Sequence, residues 1–230
     1  MALNSMYEQL MGLPLFNGVS YNRISEIVGN TKLAFLKYLP NERIVNAGDP
    51  CTHLMFVIGG NVQLSIQNQN DRFRVTQTIG APSVISPDFL FGRNTLFPAT
   101  VTAVDTVSLM QISKNDFISI VQTDEVCLYN YLNYISTNAQ KAVDGVIALT
   151  SGSLEERIAF WIIALTQRDA VNITLSCRQR DMYTLFGVQR SSFISTLDSM
   201  KERGLIDYTS SEIRVISRRD LRSLLLKIPD

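Results

Sequence analysis

Residues 173–216 read ITLSCRQRDMYTLFGVQRSSFISTLDSMKERGLIDYTSSEIRVI, and this stretch decides the fold of the C-terminal part of the chain. Ser176 and Gln179 have the spacing of a capping box and predict a short helix ending at Phe186-Gly187. Gly187 suits a sharp turn between two helices, because glycine takes positive φ without a Cβ penalty. A second helix is predicted after it, with Phe193, Ile194, Leu197 and Met200 on its buried side. Its exposed beginning, Gln189, Arg190, Ser191, Ser192 and Ser195, is polar and free of acid. Gly204-Leu205-Ile206 stops that helix, and IDYTSSEIRVI predicts a two-stranded wing with Ser210-Ser211 at its tip.

A helix-turn-helix with a wing predicts a double-stranded DNA partner. The N-terminal face of the second helix would enter the major groove. Arg190 is the candidate for bidentate binding to guanine O6 and N7, with Ser191 and Ser195 beside it as further base readers. Gln189, Ser192, Arg178, Arg180 and Lys201 are candidates for phosphate contacts, which position the protein without reading sequence. Charge supports an anionic partner at this end. Residues 1–150 carry nine Lys+Arg against eleven Asp+Glu (net −2), and 151–230 carry twelve against ten (net +2).

Upstream, TSGSLEERIAFWIIAL at 150–165 breaks one helix at Gly152 and starts another with a Ser153/Glu156 capping box. Before the break, Leu128, Leu132, Ile135, Ala139, Ala142, Val146 and Leu149 step by alternating fours and threes. This is an a/d seam on a helix of about 26 residues, roughly 39 Å long, starting near Asp124. It predicts a parallel dimer; a stripe packed on the chain's own barrel is the alternative. Ser113 caps a short helix before it.

From about Leu33 to Ile112 the pattern has period two and is rich in turns. HLMFVIGGNVQLSIQ at 53–67 places Gly59-Gly60 between two strands, with Val62, Leu64 and Ile66 on one face. QNQND at 67–71 reads as the next hairpin tip, followed by RFRVTQTI. In PATVTAVDTVSLMQI, Val101, Ala103, Asp105 and Val107 fall on one face of a further strand pair. Short strands at such spacing predict an antiparallel barrel or jelly roll, preceded by short helices from about Ser5 to Val28. The fold class is therefore α+β. The expected domains are a sensor barrel over 1–123, a dimerisation helix over 124–150 and a winged helix-turn-helix over 151–230.

Composition excludes several classes. With 230 residues, 46% hydrophobic and 18% charged, the chain can bury a core and is no disordered tail. No run approaches the roughly 18 apolar residues of a membrane span, and the start lacks the pattern of a secretion signal, so a cytoplasmic protein without a membrane partner is expected. Cys51, Cys127 and Cys177 show no C-x-x-C spacing, so neither a zinc site nor an iron–sulfur cluster is signalled. There is no glycine-rich phosphate loop, no H-E-x-x-H and no nucleophile elbow, and His53 is the one histidine. No catalytic residue and no metal ligand is assigned.

The order of these pieces resembles the catabolite activator/FNR (Crp/Fnr) superfamily of bacterial transcription regulators. The resemblance rests on LPLFNGVS at 13–20, FLKYLPNERIVNAGDP at 35–50, the 53–65 hairpin and PATVTAVDTVSLMQI. It continues through the seam helix, SLEERIAFWI and RQRDMYTLFGVQRSSFISTL with MKERGLI. It implies a cyclic-nucleotide-binding-like barrel that gates a homodimer on a palindromic operator, with RNA polymerase as a further partner. The departures matter as much. Members that bind cyclic nucleotides carry a Gly-Glu pair and an Arg-Ser pair, where this chain has Ser86-Pro87 and Phe97-Pro98. Without the arginine and glutamate, phosphate and ribose lose their charged partners, so cyclic AMP is not the expected effector.

The remaining candidate lining for an unidentified small-molecule effector is Phe89, Phe91, Arg93 and Phe97, with Leu90, and Tyr129 and Tyr131 from the seam helix. Such a lining is compatible with haem, with His53, Met55 or a tyrosine as axial ligand. It is equally compatible with a filled core. The competing reading of the whole chain is a small-molecule-binding module whose C-terminal domain docks a protein instead of DNA.

Overall fold

In the computed structural model, residues 7–225 are described except 9, 69 and 71, and the side chains at 144, 145, 148, 149 and 151 lie outside the description. The chain divides into two compact units, Met1–Gln63 with Ile79–Thr137 and Leu64–Thr78 with Asn138–Asp230. The hairpin segment 64–78, drawn from the middle of the barrel sequence, thus belongs with the C-terminal residues.

The first unit opens with a 3-10 turn at Pro14–Phe16 and helix α1, Tyr21–Asn30, capped by the Ser20 hydroxyl. Strands β1 (Leu33–Tyr38), β3 (His53–Gly59), β6 (Ser83–Ile85) and β8 (Val107–Ser113) form an antiparallel sheet in the order β1-β8-β3-β6. β2 (Arg43–Val45) pairs with β7 (Thr100–Ala103), and Val104 N–H donates to Asn61 O at the start of β4, Asn61–Gln67. Alternation drives this architecture: Val62, Leu64, Val101, Ala103, Val107 and Leu109 are buried, while intervening residues reach the surface. The β3–β4 turn needs Gly60. Its φ is +81°, and a Cβ there would meet Thr106 O at 2.4 Å.

One expected face ends early. Asp105 does not continue the row of Val101 and Ala103; it lies in the turn between β7 and β8. There its carboxylate accepts from Asn61 N–H at 2.8 Å and Asn61 Nδ2 at 2.6 Å. A carboxylate is more stable locking an exposed turn than facing a core.

Helices α2 (Lys114–Thr123, capped by Ser113) and α3 (Glu125–Ser151) follow. Asp124 starts α3 by accepting from Cys127 N–H at 2.9 Å. Asp124 is itself buried and takes a bond from Arg23 Nε of α1 at 2.9 Å. Burial pushes its pKa up, but the Cys127 N–H and the Arg23 guanidinium outweigh that, and its carboxyl is held below the usual range.

In the second unit, α4 (Leu154–Ala164) carries the complete Ser153/Glu156 capping box. β5 (Phe73–Gly80), β9 (Val171–Cys177), β11 (Glu212–Val215) and β10 (Ile206–Tyr208) form one antiparallel ladder in that order. The expected two-stranded wing is therefore the end of a larger sheet. The capping box expected at Ser176/Gln179 does not form. Ser176 is an exposed strand residue opposite Arg74 and Glu212, and the N-cap of α5 (Gln179–Leu185) is Arg178, without a side-chain cap bond. Strand pairing on both edges of β9 claims the backbone that a cap would have used.

Helix α6 (Arg190–Glu202) and α7 (Arg218–Ser223) complete the unit. Arg218 closes the C-terminal end of α4 by donating to Thr166 Oγ1 at 3.0 Å, Thr166 O at 2.9 Å and Ile163 O at 3.4 Å. Burial lowers its pKa to about 10, so a cation is retained at neutral pH.

Candidate nucleic-acid interface

The interface is built on an aromatic spine inside the second unit. Phe73 of β5 lies 5.3 Å from Trp161 of α4, Trp161 is edge-on to Phe186 at 5.9 Å, and Phe186 stacks on Phe193 of α6 at 6.2 Å. Arg157 of α4 adds a bond to Phe186 O at 2.6 Å. Phe193, Leu197 and Met200 are fully buried, so one side of α6 is fixed in the core and the opposite side is left to solvent. Gly187 makes the turn between α5 and α6 at φ +66°, with nothing near its Cα that a Cβ would strike. The requirement there is conformational, not steric.

The solvent side of α6 presents the sequence-predicted readers. Gln189 is the N-cap and makes no side-chain cap bond, and no acid lies in the first turn. Arg190, Ser191, Ser192 and Ser195 are all exposed. Arg190, Ser191, Ile194, Ser195 and Asp198 line one shallow concavity. Asp198 is the residue that the sequence reading missed. Its spacing of eight from Arg190 placed it on the same helix face. Its carboxylate accepts from Tyr208 OH of β10 at 2.6 Å, which pushes the phenol up to about 12.

The five expected phosphate contacts divide. Gln189, Ser192 and Arg180 are exposed. Arg178 is engaged with Asp181 through two bonds, at 2.8 and 3.1 Å, and its guanidinium holds that carboxyl below the usual range. Lys201 pairs with Asp207 at 2.7 Å and lies over the Tyr208 ring at 5.8 Å. The wing tip is fastened to the start of α5: Cys177 N–H donates to Ser211 O at 2.9 Å, and Gln179 Nε2 to Thr209 O at 3.1 Å.

In the first unit two residues of the expected effector lining, Phe91 and Tyr131, pack on each other and on Phe117. Phe91 and Tyr131 lie 6.0 Å apart, and both contact Phe117, at 6.0 and 4.9 Å. Lys114 stands over Phe91 at 4.7 Å, and Tyr131 OH donates to Pro87 O at 3.3 Å. Phe97 is buried, Phe89 half-buried, Arg93 exposed, and Tyr129 63% exposed, facing away from Tyr131. A cavity of about 20 Å³ remains beside Tyr131, Tyr134, Leu54 and Phe56, against several hundred Å³ in small-molecule sites. That cavity, which includes Tyr131 of the expected lining, is too small for haem. His53 is engaged with Thr52 Oγ1 at 2.9 Å, and Met55 is buried in β3. No group of three or more metal-ligating side chains occurs among the described residues.

On α3 the seam residues form an open stripe. Leu128 and Ile135 are half-buried, Ala139 and Ala142 exposed, Leu132 is 42% exposed and Val146 63% exposed. The side chain of Leu149 lies outside the described residues. Val143 and Ile147 widen the apolar surface next to Val146. No helix among the described residues is long and apolar enough to cross a membrane.

Comparison with known proteins places these features in a family. Residues 35–124 match the cyclic nucleotide-binding domain family and residues 156–224 the Crp-like helix-turn-helix domain family. The cAMP-activated global transcriptional regulator Vfr of Pseudomonas aeruginosa is 23% identical over 193 residues, 80% of this chain and 89% of that protein. The crystal structure of the Thermus thermophilus catabolite activator protein superposes with a TM-score of 0.53. It covers 94% of this chain and 100% of that one at 16% identity, a likeness of fold.

Proposed function

The chain belongs to the Crp/Fnr family of DNA-binding transcription regulators, and from that premise we propose that it acts as a homodimer on a two-fold symmetric operator. The observation that carries this reading is the solvent face of α6. A polar, acid-free first turn at Arg190–Ser192, with Ser195 beyond it, is held outward by a fully buried opposite side. Arg190 reads guanine, with Ser191 and Ser195 at neighbouring base edges. Gln189, Ser192 and Arg180 contact phosphates, and Arg178 and Lys201 join them by exchanging a surface carboxylate for phosphate, a trade that costs little at exposed ion pairs.

Two copies pair through the α3 stripe around Leu132 and Val146, which sets the spacing of the two α6 helices to about one turn of DNA. The N-terminal domain biases that spacing, a population shift between competent and incompetent states. Its effector is not cyclic AMP. By the resemblance, Pro87 and the buried Phe97 stand where cyclic-nucleotide binders carry the glutamate and arginine that hold ribose and phosphate.

Arg190→Ala tests the reading. It is expected to cost about 1–3 kcal/mol on the preferred site and to relax selection at one base position of each half-site. Unchanged discrimination by that variant rejects the base-reading role.

A further inference from the structure

We propose that the hairpin segment Leu64–Thr78 supplies a DNA-backbone contact of its own, the guanidinium of Arg72. The proposal rests on the reading that the winged helix-turn-helix binds DNA, and adds to it a contact from outside the C-terminal sequence.

The placement follows from the ladder. Phe73 lies opposite Cys177, Arg74 opposite Ser176, Val75 opposite Leu175 and Thr76 opposite Thr174. Val75 and Leu175 are fully buried, and Phe73 packs on Trp161, so the inner face of this pairing is core and its register is fixed. The ladder ends at the Phe73–Cys177 pair, so Arg72 precedes it on one strand and Arg178, the N-cap of α5, follows it on the other. The backbone at Arg72 is held there as well. Asn68 Oδ1 accepts from Arg72 N–H at 3.0 Å and from Phe73 N–H at 3.2 Å.

Arg72 is exposed; the Arg178 hydrogen bonds foremost, with smaller help from the charges of Arg72 and Arg180, hold Asp181 below the usual carboxylate range. At the same corner the wing tip, Thr209–Ser211, is tied to Cys177 and Gln179. Arg178 already satisfies the Asp181 carboxylate through two bonds, and Arg72 and Arg180 act on it by charge alone. In helix-turn-helix docking the first helix of the motif crosses the sugar-phosphate backbone, which is where a cluster of cations meets phosphate. A single exposed arginine at this corner recognises charge, not base sequence.

The test uses the full chain and measures affinity against salt concentration on a random-sequence duplex and on a duplex enriched by selection. Each phosphate contact contributes about 0.9 to the slope of log affinity against log salt. Arg72→Ala should therefore reduce the slope by about 0.9 per protomer and weaken binding about five-fold per protomer at roughly 0.15 M salt, equally on both duplexes. The selected motif should not change, and Arg72→Lys should keep most of the affinity. Steep salt dependence in the wild type with an unchanged slope in Arg72→Ala overturns the contact alone. A wild type without salt-dependent DNA binding overturns the underlying reading, and the contact with it. A loss confined to the enriched duplex also overturns the proposal, since a phosphate contact acts on any sequence.

Discussion

Gln77→Ala should loosen the junction between α4 and β9 although Gln77 comes from β5, about ninety residues earlier in the chain. Gln77 is 2% exposed. Its Oε1 accepts from Gln167 N–H at 2.7 Å, and its Nε2 donates to Leu165 O, the C-cap residue of α4, at 3.4 Å. The short bond carries most of the energy. Removing a partner from a buried amide costs about 1–3 kcal/mol, and the half-exposed Gln167 regains part of that from water. A net loss of about 1–2 kcal/mol corresponds to roughly five- to thirty-fold faster local opening. The assay is native-state hydrogen exchange of the full chain, read at the Gln167 amide and across β9. Exchange there at the wild-type rate in Gln77→Ala would overturn this, because the hairpin would then not be fastening the helix-turn-helix unit.

Three further outcomes follow from particular residues. Gly187→Ala should destabilise the second unit by about 1 kcal/mol, read by denaturation, because φ is +66° while the space around it is open; Gly187→Asn should cost less. Asp124 titrates below the usual carboxylate range in the folded chain, so its contribution is present above the unfolded pKa and lost as pH falls through the lower folded value. Thermal stability of Asp124→Asn should therefore be lower than wild type at neutral pH and converge with it in acid; a gap independent of pH would contradict the ion-pair account. Leu132→Glu should shift the sedimentation of the protein toward the monomer, since it places a charge on the 42% exposed seam position; an unchanged dimer rejects the seam.

The helix-turn-helix unit was legible because its signals are local. Gly187, Gly204, the Ser153/Glu156 box and the polar start of α6 each act within one or two helical turns. Where strands compete with helices, local signals fail. Ser176 and Gln179 have capping spacing, yet pairing of β9 on both edges takes Ser176 into the sheet. The β5–β9 ladder joins residues about a hundred positions apart, and no spacing rule reaches that far. Its inner face also includes Gln77, which a hydrophobic pattern reads as solvent-facing. The effector lining shows a different limit. Tyr129 and Tyr131 are two residues apart on a helix, about 200° around the axis, so they do not line one site, and Tyr129 is exposed. Aromatic composition pointed to Phe91 and Tyr131 but not to Phe117, which packs on both.

Whether α6 of a symmetric pair reads base sequence is decided by selecting bound duplexes from a random DNA pool at two salt concentrations. A two-fold symmetric motif with half-sites about one helical turn apart should be enriched, and affinity should fall steeply as salt rises. A bound pool with no enriched motif, or binding insensitive to salt, with and without added cell extract, would contradict that expectation.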